Sequence, residues 1–333
     1  MTKRLIVHIG GAKCGSSAIQ AYIAKNADVL ARSGILVPGE QFDTHSRISG
    51  QQIWFFQNLL KEPGARDVVR SRLRNLSELM NVSGYGTAVV SAENLINDGR
   101  FAEMIKAASG EFDVQVVAYI RRQDDYFISA WQQWKLKVHD RIEDYIADKL
   151  LADANWDRMF VPWEAAFGRE RMTVRLFRRD KLVDSDVVAD FMASTGLPTD
   201  GCSPLSGAAN RSFDEAIGAM ASRVRDVFTS PHDNEFYEVA HYLIGDKAFN
   251  TRRGSSLLTL AQRNALLGAY APGNERLRQD YFAEDVPSGE LFVRPTAADV
   301  VEETDVERLE RQIDFLTRAF YGIGRRIKKL ERR

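Results

Sequence analysis

The chain has 333 residues, 44% of them hydrophobic and 27% charged, the proportions of a soluble globular protein with room for one large domain or two small ones. Forty-five Lys and Arg against forty-six Asp and Glu leave a formal charge of -1, so no global field draws the molecule to nucleic acid or anionic lipid, and any basic site is local. Two cysteines, Cys14 and Cys202, exclude a disulfide framework and make a reducing compartment the default.

The amino end meets glycine directly after Ile9, too soon for a signal-peptide core or a membrane span, and the expected location is cytoplasmic. Arg4 to Ile9 is a short apolar, partly β-branched run stopped by Gly10-Gly11, which predicts a buried strand. Ala18 to Leu30 then carries Ile19, Ile23, Ala27 and Leu30 at helical spacing. Strand, glycine turn and helix open a parallel α/β unit. Residues 38–84 hold helix-like segments around Gln51 to Leu60 and Val68 to Met80, and read as an insertion. Further buried strands are expected at Thr87 to Ser91, Val114 to Ile120 and Met172 to Phe177. Helices follow at roughly Asp214 to Phe228, Glu235 to Ile244 and Leu257 to Tyr270. The expected fold is α/β, a P-loop-like parallel sheet flanked by helices with a helical C-terminal half: residues 1–297 form the α/β domain and 298–333 an amphipathic helical tail. In that tail Val306, Leu309, Ile313, Leu316, Phe320, Ile323, Ile327 and Leu330 alternate by three and four, the coiled-coil pattern. Gly322 and Gly324 weaken it by roughly 1 kcal/mol each relative to Ala. The expected partner is another helix, of the same chain or of a second copy in a homodimer; the basic end, Arg325 to Arg333, makes an anionic membrane surface the competing partner.

Gly10-Gly11-Ala12-Lys13-Cys14-Gly15-Ser16-Ser17 lies where a parallel sheet places a phosphate loop, with backbone N–H groups and a helix start facing an anion. The spacing of Gly10 and Gly15 imitates a Walker A loop, but Ser16 stands where its lysine belongs. Lys13, inside the loop, can curl back over the bound anion instead. A turn that merely joins strand to helix is the plain alternative.

The stretch from His8 to Gln20 resembles the 5′-phosphosulfate loop of sulfotransferases that use 3′-phosphoadenosine 5′-phosphosulfate (PAPS). In that loop Ser16 and Ser17 stand for two threonines, and Cys14 replaces the usual hydroxyl residue with its backbone N–H still available. The strand Val114 to Ile120 ends in Arg121, with Ser129 eight residues on. This pair resembles the family's 3′-phosphate motif, for which arginine is suited by its planar fork; the alternative for Arg121 is an ion pair with Asp124 or Asp125. Ser91-Ala92-Glu93-Asn94-Leu95, Asn210-Arg211-Ser212 and Asn274-Glu275-Arg276-Leu277 are similar to bacterial members acting on glycans and other cell-surface or secreted molecules. Arg252-Arg253-Gly254 is similar in type to a late 3′-phosphate loop.

The resemblance implies sulfuryl transfer from PAPS to a glycan or small-molecule hydroxyl or amine. The backbone around Gly11, Ala12, Lys13, Cys14 and Gly15, with Ser16 and Ser17, would bind the 5′-phosphate, and Arg121 and Ser129, with Arg253 and Gly254, the 3′-phosphate. Lys13 would neutralise the leaving oxygen, and no metal is implied. Glu93 is the first choice as base and His45 the second; a loop or cap role for Glu93 and a surface role for His45 stand beside these. Phe127, Trp131 and Trp134 recur at helical spacing, as core or as a wall of the acceptor cleft. A nucleotide or small-molecule kinase with a degenerate P-loop and a non-catalytic nucleotide-binding scaffold are the competing functions.

Overall fold

The computed structural model describes residues 2–205, 212–252 and 254–332. It divides into two compact units: Met1–Arg121, Asn155–Asn210 and Arg276–Pro287 form the first, and Arg122–Ala154, Arg211–Glu275 and Ser288–Arg333 the second. Residues 298–333 fall within the second.

The first unit is built on five parallel strands, β1 (Lys3–Gly10), β2 (Ile35–Leu36), β3 (Thr87–Ser91), β4 (Phe112–Ile120) and β5 (Met172–Leu176), in the order β2-β3-β1-β4-β5. Four of these are the runs rich in Val, Ile and Leu seen in the sequence. β2 is two residues long and offers no periodic signal. Between the strands lie α1 (Ser16–Lys25), α2 (Ala27–Arg32), α3 (Ile53–Leu59), α4 (Ala65–Ser83) and α5 (Arg100–Ala108). The expected helix from Ala18 to Leu30 is two helices. The break falls at Asn26, whose buried side chain bonds the Tyr22 carbonyl at 2.9 Å and both the carbonyl and the N–H of Ser203, an alternative to the helical ladder. α4 buries Val69, Leu73, Leu76 and Met80 at spacings of three and four, and Gly64 and Gly84, both at positive φ, flank it.

The chain runs outward from β1 to β2, returns to β3 and then crosses β1 to reach β4. In such a sheet the crevice outside the carboxyl ends of the strands at the reversal is the usual ligand position. Here those ends belong to β1, β3 and β4. One face of the sheet packs Ile6, Val89, Val117 and Tyr119 against α1 and α9 (Val187–Thr195) through Ile19, Tyr22, Ile23, Phe191 and Met192. α5 and α8 (Trp156–Phe167) pack together, and α8 touches β4 and β5. The insertion is anchored by Phe42, Phe55 and Phe56, whose rings meet each other at 5.1–5.5 Å, and Phe56 also meets Phe101 at 5.5 Å.

The second unit is helical: α6 (Gln123–Gln133), α7 (Ile142–Lys149), α10 (Glu215–Ala221), α11 (Glu235–Ile244), α12 (Leu260–Ala269), the first part of α13 (Ala271–Tyr281), and α14 (Asp305–Leu330). The helix expected from Asp214 to Phe228 stops as α10 and continues as a 3₁₀ stretch broken at Val224 (φ -120°). Phe127 is fully buried against Tyr145 at 5.0 Å, a core residue of this unit, and Trp131 is buried as well. A buried ion network ties Arg122 and Arg263 to Asp124. Among the described residues no helix is long and apolar enough to cross a membrane.

Candidate anion-binding site

The loop after β1 turns through a series of left-handed residues, Gly10 (φ 93°), Gly11 (φ 111°), Lys13 (φ 66°) and Gly15 (φ 86°). Two of these glycines are required by close approach: a Cβ on Gly10 would lie 2.3 Å from the Glu93 Cα, and one on Gly11 would lie 1.9 Å from the Tyr119 carbonyl oxygen. The loop backbone is thus pressed against the ends of β3 and β4. Lys13 takes the left-handed conformation without being glycine, which costs of order 1–3 kcal/mol and is typical of functional loops. α1 begins with Gly15 as its cap, without a side-chain cap and without an acidic residue in its first turn. Its first N–H groups and the positive end of its dipole therefore face outward from the helix start.

Three side chains meet at this crevice, one from each strand end. Arg121, after β4, donates from Nη1 to the Lys13 carbonyl at 3.1 Å. Its own carbonyl accepts from the Trp156 indole N–H at 2.8 Å, and its guanidinium lies 5.8 Å from the centre of the Phe177 ring. The ion pairs with Asp124 and Asp125 belong to its neighbour Arg122, at 2.6 and 3.3 Å. Burial, and then repulsion by Arg121, lower the Lys13 ammonium to about 8, against an attraction from Glu93. Burial pushes the Glu93 carboxyl up, while Lys13 and the Ser16 hydroxyl draw it down. Glu93 sits in the turn after β3 and caps no helix; the 3₁₀ turn that follows starts at Asn94, without a side-chain cap.

Ser16 is buried at the helix start, its hydroxyl beside the Glu93 carboxylate. Ser17 is exposed. Cys14 points into the core with Ile6 and Ile19, its thiol pushed up to about 12 by burial. Its backbone N–H does not remain available to a ligand, because it closes a turn on the Gly11 carbonyl at 3.1 Å. Beneath the loop, His8 and Gln20 both bond the Ser91 hydroxyl, at 2.8 and 3.1 Å. Burial lowers the His8 imidazole to about 4, so it is neutral near pH 7.

His45 is exposed, its N–H bonded to Asp43 Oδ1 at 3.1 Å and its ring 3.4 Å from Thr44 Oγ1. Ser129 lies on α6 in the second unit, where the expectation for it rests on its spacing from Arg121. In the same unit Arg252 pairs with Glu303 at 2.8 Å, and Gly254 packs against the Asp299 backbone; Arg253 lies outside the described residues, as do Asn210 and Arg211. Sequence reasoning missed Trp156 and Phe177, the supports of Arg121, which carry no motif. It also missed Trp54, an aromatic 60% exposed. Trp54 follows Ile53, whose carbonyl accepts from Asn94 Nδ2 at 3.2 Å.

No family model matches the chain. An uncharacterized protein of Archaeoglobus fulgidus is 25% identical over 216 residues, or 61% of this chain, and the chain spans 58% of that relative's length. The crystal structure of a sulfotransferase from Alicyclobacillus acidocaldarius is similar over 63% of this chain and 87% of its own, at 18% identity and a TM-score of 0.39. That score is too low to carry residues from one fold to the other. Among the described residues no group of three or more His, Cys, Asp or Glu is placed to hold a metal ion. What the arrangement offers chemically is two crowded cations, a helix start and one proton-accepting carboxylate around a strained loop.

Proposed function

We propose that the protein is a sulfotransferase that moves a sulfuryl group from PAPS to a hydroxyl or amine of a carbohydrate or other small acceptor. The observation that carries this reading is the crowding of Lys13 and Arg121, each at the carboxyl end of a neighbouring strand, where burial and then the charge of Arg121 depress the lysine's proton affinity. A multiply charged anion relieves that repulsion. The buried Ser16 hydroxyl at the helix start supplies a further donor, and Ser16 in place of the Walker lysine weighs against an ATP-dependent kinase.

In this reading the loop backbone, the helix start and Ser16 hold the 5′-phosphate, and Arg121 serves the 3′-phosphate. The acceptor oxygen or nitrogen forms a bond to sulfur as the bond from sulfur to the 5′-phosphate oxygen breaks, and that oxygen keeps the electron pair. Lys13 stabilises the charge growing there, an interaction strongest in the transition state. Glu93 takes the acceptor's proton; a carboxyl raised by burial is matched to that task.

Ligands that bind only the native state raise its melting temperature. Adenosine 3′,5′-bisphosphate is expected to stabilise the protein more than AMP or ATP. Removing a desolvated charge-assisted contact costs about 2–5 kcal/mol, so Arg121→Ala is expected to weaken the bisphosphate at least tenfold and AMP hardly at all in calorimetry. Equal loss for both nucleotides, or stabilisation by ATP as strong as by the bisphosphate, overturns the reading.

A further inference from the structure

The eight apolar residues of the C-terminal seam do not pack on this chain. Val306, Leu309, Ile313, Leu316, Phe320, Ile323, Ile327 and Leu330 are 44–79% exposed. α14 docks on α10 and α11 through a different stripe: Gln312, Phe315 and Ala319 are buried. Next to that stripe a Cβ on Gly322 would meet the Leu243 carbonyl at 3.0 Å, and Arg326 stacks 3.5 Å over Tyr242. Gly322 is therefore a close-packing position, and the helix has two working faces. The outer one runs about 36 Å at 1.5 Å per residue, an apolar strip larger than a monomer leaves to water without a use.

We propose that this strip is a homodimer interface, and that a second copy of the chain lies along it antiparallel. Charge decides the occupant. The first half of α14 carries Asp305, Glu307, Glu310 and Asp314 against Arg308 and Arg311, a net charge of -2, and the second half carries Arg318, Arg325, Arg326, Lys328 and Lys329 with no acidic residue, a net charge of +5. An antiparallel second copy sets each acidic half beside a basic half and brings Val306 opposite Leu330, with Leu316 and Phe320 at the two-fold axis. A parallel copy sets like charges together. An anionic membrane attracts one half and repels the other. A two-fold pairing of this kind uses one patch twice, which is what a strip with opposite charge at its two ends provides. The inference is independent of the sulfotransferase reading, since none of these residues belongs to the crevice.

Light scattering over a dilution series of the full chain is expected to show the mass rising from 37.6 kDa to twice that value. Phe320→Glu, at an exposed position, is expected to keep the circular dichroism and melting temperature of the parent and to stay monomeric at every concentration. In a Cys202→Ser background, an oxidised mixture of Val306→Cys and differently tagged Leu330→Cys chains is expected to cross-link one to the other and neither to itself. A monomer throughout, a dimer that survives Phe320→Glu, or cross-links of each variant to itself overturns the proposal. So does monomeric full chain that sediments with phosphatidylserine vesicles through the same face.

Discussion

Lys13 is protonated at neutral pH against the cost of burial and the repulsion of Arg121, and its ammonium falls from the ordinary 10.5 to about 8. A lysine whose folded pKa lies below its unfolded one destabilises the native state wherever it is charged. Between about pH 8 and 10.5 the native protein gives up a proton that the unfolded chain keeps, so stability rises with pH across that window. A bound anion reverses the preference and favours the charged lysine. The melting-temperature gain from adenosine 3′,5′-bisphosphate is therefore expected to be larger at pH 7 than at pH 9. Lys13→Met is expected to raise the ligand-free melting temperature at pH 7 and to abolish the pH dependence of the gain. A gain equal at both pH values in the parent protein removes Lys13 from the anion contact. The same residue shows how far the sequence carried. That a lysine stands inside the glycine loop is legible from spacing; that its ammonium shares a crevice with Arg121 and Glu93 depends on three strands meeting, which no local pattern encodes. Arg121 and Arg122 are equivalent in sequence, and only the turn at the end of β4 gives the acidic pair to Arg122.

Elements were legible where their residues repeat and hidden where they do not. β1, β3 and β4 hold short apolar runs and β5 alternates apolar with polar residues, whereas β2 is held by pairing with β3 at Ile35 and Leu36 and has too few residues to form a pattern. The inner stripe of α14 contains a glutamine, an alanine and a glycine, so the apolar signal of that helix pointed at the face that does not pack on the chain. The glycine loop is the element most exposed to a single change. Gly11→Ala combines a left-handed backbone, worth about 1–3 kcal/mol of strain, with a Cβ driven into the Tyr119 carbonyl, where overpacking costs another 1–3 kcal/mol or so. In urea its midpoint is expected to fall by the equivalent of at least about 3 kcal/mol with an unchanged slope. A midpoint within error of the parent means the loop is free to move off β4.

On the scale of the whole molecule, composition and charge bounded the class and the strand pattern its architecture, but nothing local marks where one unit stops. Boundaries fall inside motifs: the chain first leaves the sheet unit between Arg121 and Arg122, and its last return to that unit falls within α13. A fragment ending at Arg121 lacks β5, α8 and α9, and with them the cover of Ile6, Val117 and Tyr119. It is expected to show no cooperative thermal transition by circular dichroism, and a sharp melt like that of the full chain would show that four strands suffice. The chain crosses between the two units five times, and this has a consequence for its synthesis. Domains that are contiguous in sequence fold one after another as they leave the ribosome. Here the strands that form the crevice emerge first and wait for β5, and the last piece of their unit, residues 276–287, follows most of the other. Neither unit is a cassette that gene fusion can lift out intact, and β1, β3 and β4 leave the ribosome before α9, which shares with α1 the cover of one sheet face, so chaperone demand is expected to fall on the same residues that later support the anion crevice.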